Sequence, residues 1–225
     1  MIPLDIVDET SSTQDLLASS LKNTHQALAI LARHQTAGRG RLDRAWLDSP
    51  GEDLCLSLFD PRAQGHPAPW LVGMRLAVLA AERLEIEVQW PNDLVAEGRK
   101  VGGILAENRP VAPGESALLL GVGINLRRTE FPSEIADRAV SLLQVRGAAP
   151  DPESCARALL DAWSATPIPT DWAELKAAWT ALDATPGKSY RSSSGRRVVA
   201  AGIGELGELI DTDGERHFAA DAWQI

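Results

Sequence analysis

The chain has 225 residues, 44% hydrophobic and 24% charged, which is typical of a globular protein with one sizeable domain or a domain with a small appendage. Its formal net charge of −9 argues against a general nucleic-acid binder, so any bound anion must be met by a local basic site. No apolar run reaches membrane-spanning length and no basic segment precedes an apolar one near the start, so we expect a cytoplasmic protein with no membrane or DNA partner.

The first elements are predicted from alternation and helical periodicity. A strand over residues 4–7 precedes the polar segment SSTQ at 11–14, where Ser12 or Thr13 can cap a helix over residues 15–21. The apolar run at 27–32 predicts a buried strand. A helix N-terminus beside hydroxyl groups suits a polar uncharged or anionic ligand group, although ordinary capping explains the same residues.

The segment 35–46, QTAGRGRLDRAW, is the strongest signal in the chain. Its glycines and arginines are Gly38, Arg39, Gly40, Arg41 and Arg44. Guanidinium groups bind phosphate bidentately, glycines let a backbone approach a ligand, and Trp46 offers a face for a base. The spacing matches neither the Walker loop nor the dinucleotide fingerprint. We therefore predict a mobile loop that folds around phosphate, with a solvated basic loop as the alternative.

A strand over 53–60, a loop over 61–69 and a helix over 70–84 lead into the stretch 89–105, QWPNDLVAEGRKVGGIL. Pro91 should end regular pairing, and Glu97-Gly98 should reverse the chain, so a hairpin would hold Asp93 near Lys100. Gly102 and Gly103 are unusual in a strand and favour a ligand lying flat against the backbone. A plain hairpin with one surface lysine is the alternative.

In the second half, Pro110 and Pro113 predict a loop over 107–115, and the next strand, 116–126, carries Asn125, whose amide could face a ligand or cap a turn. Helices are predicted over 152–165 and 172–182, with their tryptophans in the core. A boundary at 185–188 divides the chain into domains 1–184 and 185–225. Short strands with glycine turns make the second a small β module that should dock on the first.

These groups together predict ATP-dependent activation of a small carboxylic acid. The carboxylate would attack the α-phosphate in line while Arg, Lys and Mg²⁺ position the reactants and neutralise charge. No nucleophile and base stand in a persuasive arrangement, because the four histidines are isolated and Cys55 and Cys155 fall in apolar patterns typical of buried free thiols.

The motifs resemble those of the biotin–protein ligase family, in order and over nearly the whole chain. They are SST at 11–13, Gln35 before GRGR at 38–41, Arg44 and Trp46, WPND at 90–93, RKVGGIL at 99–105 and GVGIN at 121–125. The resemblance implies an α+β fold: a mixed-sheet catalytic domain of the biotin/lipoate ligase type followed by a small C-terminal SH3-like β barrel. It also implies that ATP, Mg²⁺ and biotin give biotinyl-5′-AMP, and that biotin passes to one lysine of the biotin carboxyl carrier domain of acetyl-CoA carboxylase or a related carboxylase.

The resemblance assigns roles by position. Lys100, Arg39 and Asp93 would be catalytic, and Asp93 would also lie near Mg²⁺ or the acceptor lysine. The implied biotin contacts are Ser12, Thr13, Gln14, Gln35, Arg39, Gly40, Arg41, Lys100, Gly102 and Gly103. The implied ATP contacts are Gly38, Arg39, Arg41, Arg44, Trp46, Asn92, Lys100 and Asn125.

Two departures from the family pattern stand out. Gln89 precedes WPND where the family usually has a basic residue, so one positive charge near the phosphates is missing or supplied by another arginine. The ligase motifs begin within fifteen residues of the start, so we expect a monofunctional ligase without a DNA-binding domain, as a monomer or homodimer. The alternatives are a lipoate or octanoate ligase or transferase, and a catalytically silent biotin- or nucleotide-binding module.

Overall fold

A computed structural model describes residues 2–23, 26–218 and 222–224. Its larger sheet has seven strands in the order β1-β2-β3-β7-β6-β5-β4. The strands are β1 (Leu4–Thr10), β2 (Leu28–Gln35), β3 (Leu54–Phe59), β4 (Glu87–Gln89), β5 (Asp93–Ala96), β6 (Arg99–Ala112) and β7 (Glu115–Ile124). β1 and β2 pair in parallel and the other neighbours are antiparallel, so the sheet is mixed.

Helices cover both faces of this sheet. They are α1 (Thr13–Ser20), α2 (Pro69–Leu84), α3 (Leu142–Arg146), α4 (Pro152–Ala165) and α5 (Ala173–Leu182). Ala29 and Leu31 of β2 join the main core with α2, α4 and α5, while Ile30 between them joins a smaller cluster with α1. This alternation follows from the two-residue period of a strand. It places α1 on the face of the sheet opposite α2, α4 and α5.

The second sheet has five antiparallel strands in the order β11-β10-β9-β8-β12. These are β8 (Ser189–Ser192), β9 (Arg197–Ile203), β10 (Leu209–Asp211), β11 (Arg216–His217) and β12 (Ala222–Gln224). Tyr190, Val198 and Leu209 are buried within the same core cluster as the main sheet. The predicted α+β fold with a small C-terminal β barrel is confirmed, whereas the division of the chain at residue 185 stays a prediction.

The predicted loop over residues 107–115 is wrong. β6 continues through Ala112, and the reversal is confined to Pro113 and Gly114 before β7 begins. Pro110 is tolerated because it lies opposite Ser116 near the end of the hairpin, where a register shift interrupts regular pairing. In the part of the chain that the structure describes, no helix is long and apolar enough to cross a membrane.

Candidate functional site

One large cavity, with a volume of about 730 Å³, lies between the start of α1, the segment 38–46, the β5–β6 hairpin and the end of β7. It brings together residues that the sequence places far apart. The predicted residues that line it are Ser12, Thr13, Gln14, Gln35, Arg39, Gly40, Arg41, Arg44, Trp46, Asn92, Asp93, Lys100, Gly103 and Asn125.

One end of the cavity is polar and uncharged. The Thr13 backbone N–H donates to Gln35 Oε1 at 2.8 Å, and the hydroxyl groups of Thr13 and Ser57 lie 2.7 Å apart. The Gln14 amide donates from Nε2 to the Leu105 carbonyl at 3.1 Å, which fixes the orientation of the amide. Gln14 Oε1 is buried and has no hydrogen-bond partner among the described residues. An unpaired buried acceptor is costly unless a ligand supplies a donor.

Ordinary capping by Ser12 is not what the structure shows. Ser12 is the N-cap residue of α1, but its side chain makes no capping hydrogen bond, although it is buried at the cavity wall. Ser57, which was not among the predicted site residues, lies in the middle of the apolar strand β3. Its hydroxyl between leucines was the signal that could have marked it.

The segment 38–46 is a small hairpin rather than an open coil. The backbone N–H of Trp46 donates to the Gly38 carbonyl at 2.8 Å, and the backbone N–H of Gly40 donates to the Arg44 carbonyl at 2.8 Å. A Cβ at Gly38 would lie 2.7 Å from the Trp46 carbonyl oxygen, so a glycine is needed for this close approach. Gly38 itself, a predicted ATP contact, is not among the cavity-lining residues. Its position gives it a structural role within the hairpin.

Arg41 reaches across the cavity mouth to the β4–β5 turn. Its Nη1 donates to Asn92 Oδ1 at 3.1 Å, and Asn92 Nδ2 donates in turn to the Ile104 carbonyl at 2.6 Å. Burial lowers the pKa of Arg41, and the charge of Asp93 opposes that effect. The segment 38–46 is therefore folded over the site with its arginines facing the cavity.

The predicted hairpin is confirmed and holds its charged pair in contact. Lys100 Nζ donates to Asp93 Oδ1 at 2.6 Å. A Cβ at Gly103 would come within 3.3 Å of Asp93 Oδ1 and 3.5 Å of Lys100 Nζ, so a side chain there would crowd the pair. Gly102 does not line the cavity, and a Cβ there would overlap the Gly123 carbonyl oxygen of β7. The structure therefore explains Gly102 by strand packing and not by ligand contact.

The other end of the cavity is aromatic and cationic. Trp46 packs against the backbone of β7, where a Cβ at Gly123 would lie 2.6 Å from its Cε2 atom. Asn125 follows β7 and donates from Nδ2 to the Val140 carbonyl at 3.2 Å. Arg128, Phe131 and Arg138 form a wall here that the sequence does not predict, because no recognisable motif covers this segment.

Arg128 anchors this wall. Its Nη1 lies 3.3 Å from Asp53 Oδ2, and its guanidinium lies 4.5 Å from the Phe131 ring centroid. Burial raises the pKa of Asp53 to about 6, against hydrogen bonds from the Ser49 and Leu126 backbone and the charge of Arg128.

The cavity is a basic site in an acidic protein, as the net charge predicts. Asp93 is the one carboxylate among its described lining residues, against the cations Arg39, Arg41, Arg44, Lys100, Arg128 and Arg138. Gln89 also lines it and is fully buried. Other cations therefore supply positive charge to a site in which Gln89 supplies none.

Among the residues that the structure describes, no histidine or cysteine lines the cavity. His34 contacts Asp48, and His217 contacts Asp211. His66 Nδ1 accepts from the Ala68 backbone N–H and its Nε2 donates to the Pro169 carbonyl, while His25 lies outside the described residues. Cys55 and Cys155 are free and buried, as predicted.

The fold and the cavity define an α+β ligand-binding protein in which a neutral polar pocket continues into a cationic one. A family profile described as "Biotin/lipoate A/B protein ligase family" matches residues 6–125, and the chain belongs to this family. The predicted resemblance is thereby confirmed.

Several characterised relatives are similar to the chain. It is 38% identical over 170 residues to a biotin--[acetyl-CoA-carboxylase] ligase of Mycobacterium tuberculosis, covering 70% of this chain and 61% of the relative. It is 31% identical over 199 residues to a ligase of the same name from Paracoccus denitrificans, covering 80% and 82%. It spans about half the length of the bifunctional ligase/repressor BirA of Bacillus spizizenii, with 32% identity over 65% of this chain and 47% of that one.

Solved structures share the whole fold. A biotin protein ligase from Aquifex aeolicus, in complex with biotin and ATP, superposes with a TM-score of 0.77 at 25% identity and with 100% of both chains covered.

Proposed function

We propose that the protein activates biotin with ATP to give biotinyl-5′-AMP and transfers biotin to a lysine of a biotin carboxyl carrier domain of acetyl-CoA carboxylase or a related carboxylase. The observation that carries the proposal is the junction of two unlike pockets in one cavity. The unpaired acceptor Gln14 Oε1 belongs to the neutral pocket, and the cations Lys100 and Arg39 line the same cavity. The names of the relatives and the biotin and ATP bound by the Aquifex aeolicus protein support the same activity.

The neutral pocket favours biotin over lipoate or octanoate. The ureido ring of biotin carries two N–H donors and a carbonyl acceptor, and a donor is what Gln14 Oε1 lacks. The dithiolane ring of lipoate and the end of octanoate carry no N–H group, so they would leave this acceptor unpaired. A site built to bond an N–H group rejects an analogue that lacks one.

In the first half-reaction, the biotin carboxylate would attack the α-phosphorus of ATP, and pyrophosphate would leave. Lys100 and Arg39 would hold the carboxylate and the α-phosphate together and offset the repulsion between two anions. The Asp93 carboxylate, 2.6 Å from Lys100 Nζ, would keep the ammonium group in place. Arg41, Arg44 and Arg138 would face the remaining phosphates, and Trp46 and Asn125 the adenosine.

The described cavity wall offers Mg²⁺ one carboxylate ligand. Magnesium is commonly held by one or two carboxylates together with substrate phosphates, and Asp93 is the one carboxylate among the described lining residues. Bound there with ATP, the ion would neutralise phosphate charge.

In the second half-reaction, the amine of the acceptor lysine would attack the acyl carbon, and AMP would leave as the carbon–oxygen bond of the mixed anhydride breaks. The attacking amine loses a proton, and Asp93 would receive it.

The test measures pyrophosphate release from Mg²⁺-ATP with biotin, lipoate or octanoate. Release should require biotin and fall at least roughly a hundredfold in Lys100→Ala, as expected for a group that stabilises transferring charge. Lys176→Ala is the matched control, because that exposed lysine pairs with Glu205 away from the cavity. Release with lipoate or octanoate alone would assign the sister activity. Biotin binding without release with any acid would indicate a silent binding module.

A further inference from the structure

Asp15 lies outside the cavity wall but forms an ion pair with Arg39, which lines the cavity. It is in the first turn of α1, and its Oδ1 and Oδ2 accept from Arg39 Nη2 at 2.9 Å and from Arg39 Nη1 at 3.1 Å. Oδ1 also accepts from Arg109 Nη2 of β6 at 2.6 Å. Three elements, the sheet, α1 and the segment 38–46, thus meet at one carboxylate.

The geometry of the Arg39 contact leaves the rest of its guanidinium free to act. A bidentate contact through the two terminal nitrogens uses one edge of the planar group. The Nε edge keeps two donors for another anion, and Arg39 lines the cavity whereas Asp15 does not. A carboxylate held on the outer edge therefore orients the inner edge toward the ligand.

The second ion pair, with Arg109, restrains the Asp15 carboxylate more than one surface ion pair would. A single exposed ion pair contributes little, because holding two side chains costs entropy and water screens the charges. Here the Asp15 carboxylate is about two fifths exposed and is shared by two arginines that are each about one third exposed. Arg109 is restrained in turn by Glu107 on its own strand, 3.7 Å away.

We propose that Asp15 is a positioning residue that holds Arg39 toward the cavity, with Arg109 as its brace, and so sets how long the acyl-adenylate stays bound. The adenylate part rests on the proposed function. Asp15 touches no ligand in this scheme and acts through Arg39. A purely structural role is also available, since an acidic residue in the first turn favours the helix through its dipole.

The first experiment uses the empty protein and trypsin, which cleaves after arginine. Asp15→Asn should speed cleavage after Arg39, Arg41 or Arg44 several-fold, because the segment loses its bond to α1. Asp8→Asn is the matched control, since Asp8 also pairs with an arginine, Arg33, at 3.2 Å but lies outside the cavity wall. Equal cleavage rates in both variants and the wild type would refute the claim that Asp15 restrains the segment 38–46.

The second experiment measures dissociation of biotinyl-5′-AMP after loading with biotin and Mg²⁺-ATP. Asp15→Asn should release the adenylate about five- to twentyfold faster, a change of about 1 to 2 kcal/mol. Asp15→Glu should restore part of the retention. In an Arg39→Lys background, Asp15→Asn should add nothing, because the bidentate partner is already gone.

The outcomes separate this inference from the proposed function. Unchanged release, or an equal effect of Asp15→Asn in the Arg39→Lys background, would overturn the positioning role. A lower melting temperature with unchanged release would assign Asp15 to helix stability alone. A wild-type protein that forms no adenylate would refute the proposed function, while the trypsin comparison would still decide whether Asp15 holds Arg39.

Discussion

Gly121 and Gly123 lie two residues apart on β7, on one face of the sheet, and contact different halves of the cavity. A Cβ at Gly121 would lie 2.9 Å from Gln14 Nε2, and one at Gly123 would lie 2.6 Å from Trp46 Cε2. Gly121→Ala should therefore raise the KM for biotin about tenfold with a smaller effect on ATP, and Gly123→Ala should do the reverse. Initial-rate kinetics with each substrate varied in turn would measure both.

Gly202→Ala is the control for these two variants. Gly202 is also in a strand, β9, and no atom of the described residues lies within 4 Å of the Cβ that it would gain. Its kinetics should match the wild type. Parallel increases of both KM values in Gly121→Ala and Gly123→Ala would contradict a cavity divided along β7.

Asp53 gives the fold a pH dependence near the cavity. Burial raises its pKa from 3.8 to about 6, so between these values the folded chain binds a proton that the unfolded chain releases. Its contribution to the free energy of unfolding is fully present below about pH 4 and is lost as the pH rises through about 6, by up to roughly 3 kcal/mol. Urea unfolding from pH 4 to 7 should show this slope in the wild type and not in Asp53→Asn. A carboxyl NMR midpoint at or below pH 4 would refute the shift.

At the scale of elements, the turn of the β5–β6 hairpin carries a residue, Glu97, that is not the best suited to its backbone conformation. Glu97 and Gly98 both have positive φ, 51° and 72°, which is the backbone of a type I′ turn. Asparagine tolerates the left-handed region better than glutamate, so Glu97→Asn should raise the free energy of unfolding by roughly 0.5 to 1 kcal/mol. The exposed Glu97–Arg99 pair that it removes contributes little.

Glu97→Ala is the control for the turn, because it removes the same ion pair without favouring positive φ. Urea denaturation of the three proteins should place Glu97→Asn above the wild type and Glu97→Ala at or below it. Equal midpoints for the two variants would mean that backbone conformation at this position does not limit stability.

Helices and strands are predictable from the sequence where residues next to one another in the chain determine their ends. Proline at the first position and an aspartate cap define α4, which the sequence predicts at its observed bounds. The loop predicted over residues 107–115 fails because Pro110 is read as a breaker, although strand pairing with β7 tolerates it at an irregular position. The candidate site divides in the same way. The motifs reveal Arg39, Arg41 and Lys100, whereas Arg138 lies in no motif and is placed at the cavity only by the fold.

At the scale of the whole molecule, the C-terminal sheet is joined to the turn that carries Asn92 and Asp93. The Trp90 indole donates to the Gly207 carbonyl at 3.0 Å, and the Tyr190 hydroxyl donates to the Trp90 carbonyl at 2.9 Å. The two rings also meet edge to face, with centroids 5.8 Å apart. Because Trp90 precedes Pro91 and this turn, we infer that docking of the second sheet helps to fix the position of Asp93.

Tyr190→Phe tests this coupling with the smallest change. It keeps the buried ring and removes one donor, leaving the Trp90 carbonyl without that bond, so the free energy of unfolding should fall by about 1 to 2 kcal/mol. If docking positions Asp93, kcat for biotin transfer should also fall, by roughly three- to tenfold, with the KM for biotin unchanged, because the neutral pocket is at the other end of the cavity. Asp211 of β10, also buried in the second sheet, accepts from the Glu215 backbone N–H and gives a control in Asp211→Asn, which should lower stability without lowering kcat. Equal losses of kcat in both variants would show that the second sheet supports the site through global stability alone.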